Sequence, residues 1–152
     1  MKKLVFVLFL VSIFLFGCEK QVVENKIEVE KTIPFIEDNI NQKGEIIVTT
    51  HVSSSEDEKL PIIKIEENVG LWQIGIIAKN FDDSKLSYIY IDKKLNTVER
   101  FGKESDVTLT IFDSDLKEGE HKIEIVQFNN DKTSGKPINY KLCNYKVVLN
   151  KI

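Results

Sequence analysis

The sequence contains few of the residues on which most catalytic and metal-binding sites depend. Its 152 residues include two histidines, two cysteines and one tryptophan. The histidines, His51 and His121, lie in neither an H-x-x-H nor an H-E-x-x-H pattern, and the chain has no G-x-S-x-G elbow and no P-loop. We therefore expect a protein that is not an enzyme and that has no cofactor and no dedicated metal site.

The sequence also lacks an excess of positive charge. Residues 19–152 contain 19 basic and 24 acidic side chains. A mildly acidic domain is poorly suited to binding a phosphate backbone, so no nucleic-acid partner is expected. The chain is also too short for an eight-stranded α/β barrel, which needs about 250 residues.

No apolar run is as long as a typical transmembrane helix. The longest one follows Lys2 and Lys3 and extends from Leu4 to Phe16, interrupted only at Ser12. As a helix it would be roughly 20 Å long, at about 1.5 Å per residue, whereas the hydrocarbon core is about 30 Å thick. A basic start followed by a short apolar core predicts a signal peptide rather than a permanent transmembrane helix.

The end of this run determines the predicted location. Leu15, Phe16, Gly17 and Cys18 resemble the lipobox of bacterial lipoproteins. The resemblance implies diacylglyceryl transfer to the Cys18 thiol, cleavage after Gly17, and a protein anchored to the cell membrane on its extracytoplasmic side. An ordinary secretory signal with a chance cysteine is the alternative. Once Cys18 is acylated, Cys143 has no disulfide partner in the chain.

The remaining sequence predicts strands separated by turns. We expect a signal peptide at 1–17, a charged spacer at 18–61 with one strand at 45–52, and a domain at 62–152. Alternating apolar residues between Asp-, Asn-, Gly- and Ser-containing turns favour an all-β sandwich. The expected strands are 62–66, 71–79, 86–92, 95–100, a strand containing Val107 and Ile111, a strand containing Ile123 and Ile125, and 140–149.

One segment carries a fold resemblance. Residues 115–125, DLKEGEHKIEI, resemble the penultimate turn and strand of bacterial immunoglobulin-like or fibronectin type III-like domains. The resemblance implies an immunoglobulin-like antiparallel β-sandwich over roughly residues 62–150. It also implies that His121 takes the place of the corner tyrosine, so that a ring nitrogen reaches back to the upstream backbone. Such a resemblance indicates a fold and no activity.

Two loops contain the candidate binding residues. In an immunoglobulin-like topology the strands 71–79 and 121–128 run in the same direction, so the loops that follow them lie at one pole. These loops contain Asp82, Asp83, Asn129, Asn130 and Asp131. The oxygen atoms of these residues suit a ligand or calcium, but Asp and Asn also bond their own backbone in ordinary turns. Asp113-Ser114-Asp115 begins like a calcium loop but departs from the EF-hand pattern at Lys117.

Four other side chains have a structural and a functional interpretation. Cys143 is interpreted as a buried, inert thiol rather than a nucleophile. Trp72 shares its strand face with Ile74 and Ile76 and is assigned to the core. Tyr88 and Tyr90 form either a packed inner face or a half-exposed binding patch.

Together these features predict a location and a class of function. We expect a membrane-anchored lipoprotein that acts as a non-enzymatic binding or interaction module of the cell envelope. Its partner would be an envelope protein or a wall polymer. The alternative is a calcium-assisted carbohydrate- or cell-wall-binding module.

Overall fold

The computed structural model describes residues 40–57, 59–66 and 70–149. The predicted signal peptide, Cys18 and the spacer up to residue 39 lie outside these residues. The described chain forms eight strands and two short 3₁₀ turns, Ser55–Asp57 and Asp113–Leu116. The strands are β1 (Glu45–Thr49), β2 (Ile62–Ile65), β3 (Trp72–Lys79), β4 (Ser87–Ile91), β5 (Lys94–Glu99), β6 (Glu104–Ile111), β7 (Gly119–Phe128) and β8 (Pro137–Leu149). No helix in the described residues is long and apolar enough to cross a membrane.

The strands form two sheets. One sheet has the order β1-β3-β6 and the other β2-β8-β7-β4-β5. All neighbouring strands are antiparallel except β2 and β8, which are parallel. The predicted all-β sandwich is confirmed, with this one parallel pairing as a difference from the antiparallel expectation.

Alternation along the strands builds the core between the sheets. In β3 every second side chain, at Ile74, Ile76 and Ala78, is buried. The opposing sheet contributes the buried side chains of β4, β7 and β8: Ile89, Ile91, Ile123, Ile125, Tyr145 and Val147. Burial of these apolar groups is the main stabilising contribution, at about 25 cal/mol per Å² removed from water.

A second apolar cluster involves the other face of the five-stranded sheet. Tyr88 and Tyr90 alternate with Ile89 and Ile91 and therefore point to the opposite side of β4. They are buried in a cluster with Val126 and Phe128, and the rings of Tyr88 and Phe128 meet edge to face at 5.3 Å. The packed alternative is thus the right one for both tyrosines, although they do not face the core between the sheets.

The first strand belongs to the sandwich. The sequence assigned residues 45–52 to the spacer and began the domain at residue 62. Instead, β1 pairs with β3 from Glu45 opposite Lys79 to Thr49 opposite Gly75, and Val48 is fully buried in the core. The folded domain therefore includes β1, and the expected boundary at residue 62 is wrong because it removes one edge strand of the three-stranded sheet.

The turn before β7 is fixed by His121. Its Nε2 lies 2.7 Å from the carbonyl oxygen of Lys117, as the corner resemblance predicted, and its Nδ1 lies 2.6 Å from Oδ2 of Asp92. The two contacts tie the ring both to the backbone of the turn and to the hairpin between β4 and β5. The ring stacks on Tyr145, whose hydroxyl donates to the carbonyl of Asp115 at 2.8 Å. The interpretation of His121 as a structural residue is consistent with this network.

Truncation of the β7 core residues tests the packing. Ile123 and Ile125 are 0% and 1% exposed, and either one changed to Ala should lower the free energy of unfolding by about 2–5 kcal/mol. Ile77→Ala provides the matched control, because Ile77 is only partly buried on β3 and should lose less. Urea unfolding measures all three, and equal midpoints for the three variants and the parent would contradict the assigned core.

Candidate functional site

The two predicted loops lie together at one end of the sandwich. They are residues 80–86 after β3 and residues 129–136 after β7. The Lys85 Nζ donates to the carbonyl of Asn129 and the Leu86 N–H donates to Oδ1 of Asp131, both at 2.8 Å. Residues 40–44, just before β1, and 100–103, between β5 and β6, reach the same end. We call residues 40–44, 80–86, 100–103 and 129–136 the loop pole.

Three of the five candidate side chains, Asp82, Asn129 and Asn130, shape their own loops, and Asp131 joins the two loops. Oδ1 of Asp82 accepts hydrogen bonds from the backbone N–H and the hydroxyl of Ser84, at 2.9 and 2.6 Å. Asn129 and Asn130 accept from the backbone N–H groups of Lys136 and Lys132, and Asp131 accepts from Leu86. The contacts of Asp82, Asn129 and Asn130 are the ordinary turn chemistry of Asp and Asn.

Asp82 also retains its negative charge. The two hydrogen bonds from Ser84 lower the pKa of Asp82, and the positive charges of Lys85 and Lys43 lower it further. The carboxylate is exposed, so its second oxygen can meet a partner without breaking the turn.

Asp83 differs from the other four residues. Its side chain is exposed, and its backbone carbonyl accepts from Nη1 of Arg100 at 3.0 Å. Within the described residues no hydrogen bond involves its carboxylate. Of the five candidates, Asp83 therefore has the side chain most available to a ligand.

A polar cavity lies beneath these loops. It measures about 240 Å³ and is lined by Asn41, Lys43, Asp82, Gln127, Ile138 and Asn139. A cavity of this size is close to the lower limit for a small-molecule site.

Two buried amides form the inner wall of the cavity. Gln127 is 1% and Asn139 is 5% exposed. The Gln127 amide donates to the carbonyl of Asp82 and to the hydroxyl of Ser87, and its oxygen accepts from the amide of Asn139. The same Asn139 amide group donates to the carbonyl of Lys43 at 3.1 Å. The relay connects the five-stranded sheet to the loop after β3 and to the segment that enters β1.

This relay was not among the predicted sites, although the sequence contains a signal for it. Gln127 continues the inward-facing series of Ile123 and Ile125, and Asn139 continues that of Cys143 and Tyr145. A polar residue at an inward position of a strand needs a buried partner. Two such positions at the adjoining ends of neighbouring strands indicate that they are partners of each other.

The described residues offer little catalytic chemistry. Burial raises the pKa of the Cys143 thiol to about 12, so the thiol stays neutral near pH 7 and is a poor nucleophile. His51 is exposed and its ring lies 5.5 Å from that of Trp72. Both ring nitrogens of His121 are occupied by structural hydrogen bonds.

Metal binding has no assembled site in the described part of the chain. No group of three or more His, Cys, Asp or Glu side chains there lies close enough together to hold an ion. At 113–115, Oδ1 of Asp115 accepts from the Ser114 hydroxyl, and the residue is buried. The calcium-assisted alternative therefore gains no support from the described geometry.

The end opposite the loop pole has a small apolar surface. Leu71 and Phe112 are exposed, and a cavity of about 290 Å³ is lined by His51, Glu66, Leu71, Trp72 and Gln73. Trp72 is partly buried and packs against the core, in agreement with its assignment there, while one side of it borders this cavity.

Comparisons with known proteins give a limited result. No protein-family profile and no curated protein matches the chain. Two solved structures of the CARDB domain of PF1109 from Pyrococcus furiosus are similar to it. The solution NMR structure is 13% identical, covers 70% of this chain and 97% of its own, and has a TM-score of 0.40. The crystal structure, in complex with di-metal ions, is 14% identical, covers 76% and 100%, and has a TM-score of 0.39.

The buried relay can be tested by removing its amide donors. Asn139→Leu leaves the acceptor oxygens of Gln127 and Lys43 without their donor, and should lower the free energy of unfolding by about 1–3 kcal/mol. Asn144→Leu, on the same strand but half-exposed, is the control and should change it by less than about 1 kcal/mol, because no described side-chain hydrogen bond is lost. Chemical denaturation measures both, and an equal or larger loss for Asn144→Leu would argue against the relay.

Proposed function

We propose that the chain is a lipid-anchored protein of the cell envelope whose β-sandwich is a non-enzymatic binding module. The observation that carries this proposal is the coincidence of two features at the loop pole. The adjoining loops 80–86 and 129–136 lie there. The chain also enters β1 there, where the Asn139 amide donates a hydrogen bond to the carbonyl of Lys43. The predicted anchor at Cys18 precedes this entry point in the chain.

Binding, rather than catalysis, is what this arrangement supports best. Turns presented by a rigid sandwich are common binding elements. The side-chain oxygens that form the turns keep the loops in a defined shape, while the Asp83 carboxylate and the second oxygen of Asp82 remain available. A partner with hydrogen-bond donors or a positive charge fits these groups, and an envelope protein or a wall polymer is the proposed source.

The anchor is tested by Cys18→Ser. The variant should leave the membrane fraction or accumulate as an unprocessed precursor, because serine offers no thiol for acylation. Cys143→Ser is the matched control: it replaces the other cysteine, whose thiol points at the carbonyl of Ile123, and should fractionate like the parent. Membrane fractionation and a shift in apparent mass measure the outcome. A Cys18→Ser protein that is processed and membrane-bound like the parent would refute the anchor.

The working surface is tested by changes that preserve the turns. Asp82→Asn combined with Asp83→Asn removes two charges but keeps an oxygen that can accept from Ser84. In-cell crosslinking followed by pull-down from membranes should recover at least about fivefold less partner with this double variant. Glu118→Gln, exposed at the opposite end, is the control and should recover as much as the parent. Loss of partner with Glu118→Gln alone would move the working surface to the opposite end.

A further inference from the structure

The charge of the domain is distributed unevenly between its two ends. The loop pole contains the acids Asp82, Asp83 and Asp131, and twice as many basic residues: Lys43, Lys85, Arg100, Lys103, Lys132 and Lys136. We call the described connections at the opposite end, residues 50–57, 59–61, 66, 70–71, 92–93 and 112–118, the far pole. Acids outnumber bases among the side chains that the structure describes there, with Glu56, Glu66, Asp92, Asp115 and Glu118 against Lys59, Lys93 and Lys117.

The cations of the loop pole project into solvent. Lys43, Arg100, Lys103, Lys132 and Lys136 are all exposed. The ion pairs found among the described side chains are Lys79 with Glu104 and His121 with Asp92, so none of these five cations is neutralised by a described acid within 4.0 Å. By contrast, Asp131 is half-buried and bonded to the Leu86 N–H. Lys85 is half-buried as well, so the exposed side chains of the loop pole comprise these five cations against two carboxylates, Asp82 and Asp83.

The same pole receives the chain from its N-terminal side. The carbonyl groups of Asn41 and Gln42 accept hydrogen bonds from the Tyr140 N–H and the Lys141 Nζ, at 3.1 and 3.2 Å. The residues that precede position 40 therefore join the domain at its positive end. Only residues 19–39 separate the proposed anchor at Cys18 from this entry point, which limits the distance between the pole and the bilayer.

We propose that the loop pole docks onto the phosphate headgroups of anionic lipids in the membrane that holds the anchor. The proposal rests on the lipid anchor proposed at Cys18, which keeps this pole near the bilayer. Exposed Lys and Arg side chains are attracted to such a surface, whereas the acidic far pole is repelled and points away. Docking fixes which end of the sandwich faces the bilayer and places Asp82 and Asp83 beside a partner that is itself in the membrane.

Vesicle binding tests the docking independently of acylation. Residues 18–152 carrying Cys18→Ser would be mixed with phosphatidylglycerol-containing vesicles or with phosphatidylcholine vesicles and sedimented. Lys103→Gln, Lys132→Gln and Lys136→Gln combined should weaken binding to the anionic vesicles at least about tenfold at low salt. The matched control removes three exposed lysines away from this pole, Lys94→Gln, Lys117→Gln and Lys122→Gln, and should change binding less than twofold.

Three outcomes would refute docking of the loop pole onto anionic lipids. Equal losses in the two triple variants, or binding of the parent that is the same to both kinds of vesicle, would refute it. Selective binding to soluble polyglycerol phosphate without vesicle binding would also refute it and would assign the pole to a wall polymer. Because the sample has no acyl chain, an absence of vesicle binding would not contradict the anchor at Cys18. Likewise, a membrane-fractionation result that refutes the anchor would not change the vesicle-binding result.

The orientation can be read with two matched labels. Ser134→Cys at the loop pole and Glu118→Cys at the far pole, both exposed, would carry an environment-sensitive fluorophore in the Cys18→Ser background. Cys143 reacts slowly because burial raises the pKa of its thiol to about 12. The label at position 134 should respond to anionic vesicles and the label at position 118 should not. A response only at position 118 would overturn the proposed orientation.

Docking and partner binding predict opposite effects of removing the charges of Asp82 and Asp83. Asp82→Asn with Asp83→Asn removes negative charge from the docking surface, so binding to anionic vesicles should stay equal or become stronger. The same variant should lose its partner in the crosslinking experiment. Loss of vesicle binding in this variant would contradict docking through the cations.

Discussion

A hydrogen bond between two buried amides, Gln127 and Asn139, constrains one end of the molecule. A polar side chain inside an apolar sandwich needs partners, since an orphaned buried donor or acceptor costs about 1–3 kcal/mol. The amide N–H groups of the relay find those partners in the carbonyl of Asp82, the hydroxyl of Ser87, the carbonyl of Lys43 and the Gln127 oxygen, whereas Oδ1 of Asn139 has no partner among the described residues. These groups precede β1, follow β3 and begin β4, so the relay holds three parts of the chain against the adjoining ends of β7 and β8. Strand direction brings the loops and the entry of the chain to that pole, and the relay bonds them to each other there.

Much of the fold could be predicted from alternation, and the exceptions have identifiable physical reasons. Alternation is local, so the sequence places a strand at Ile123 and Ile125 and assigns them correctly to the core. The membership of a strand in a sheet is not local. Pairing of β1 with β3 buries Val48 in the core. The sequence of residues 45–52 does not indicate which strand β1 pairs with. For the same reason the faces of Tyr88 and Tyr90 could not be assigned, because a two-residue period defines two faces but not which one lies inside.

The candidate site was predictable in position but not in chemistry. Strand direction places Asp82 and Asn129 at one pole, and the described hydrogen bonds agree. An Asp or Asn side-chain oxygen is either bonded to nearby backbone N–H groups or available to a ligand. Which of the two applies depends on the direction of those N–H groups. In these loops those of Ser84, Leu86, Lys132 and Lys136 point at the side-chain oxygens. That is decided by dihedral angles such as the positive φ of 55° at Asp131, which a sequence pattern does not specify.

Net charge is the sequence property whose interpretation changes most once the fold is known. The formal charge of −3 argues against a polyanionic partner only if the charges are spread evenly over the surface. Connections far apart in the chain, at Lys43, Lys103 and Lys136, meet at one pole because the strands between them alternate in direction. The acids near Glu56, Asp92 and Glu118 collect at the other pole for the same reason. Because screening limits electrostatic attraction to about 8 Å at physiological salt, a nearby surface responds to the pole that faces it and not to the sum over the chain. A domain with a net negative charge can therefore present a positive surface at the end where its chain enters.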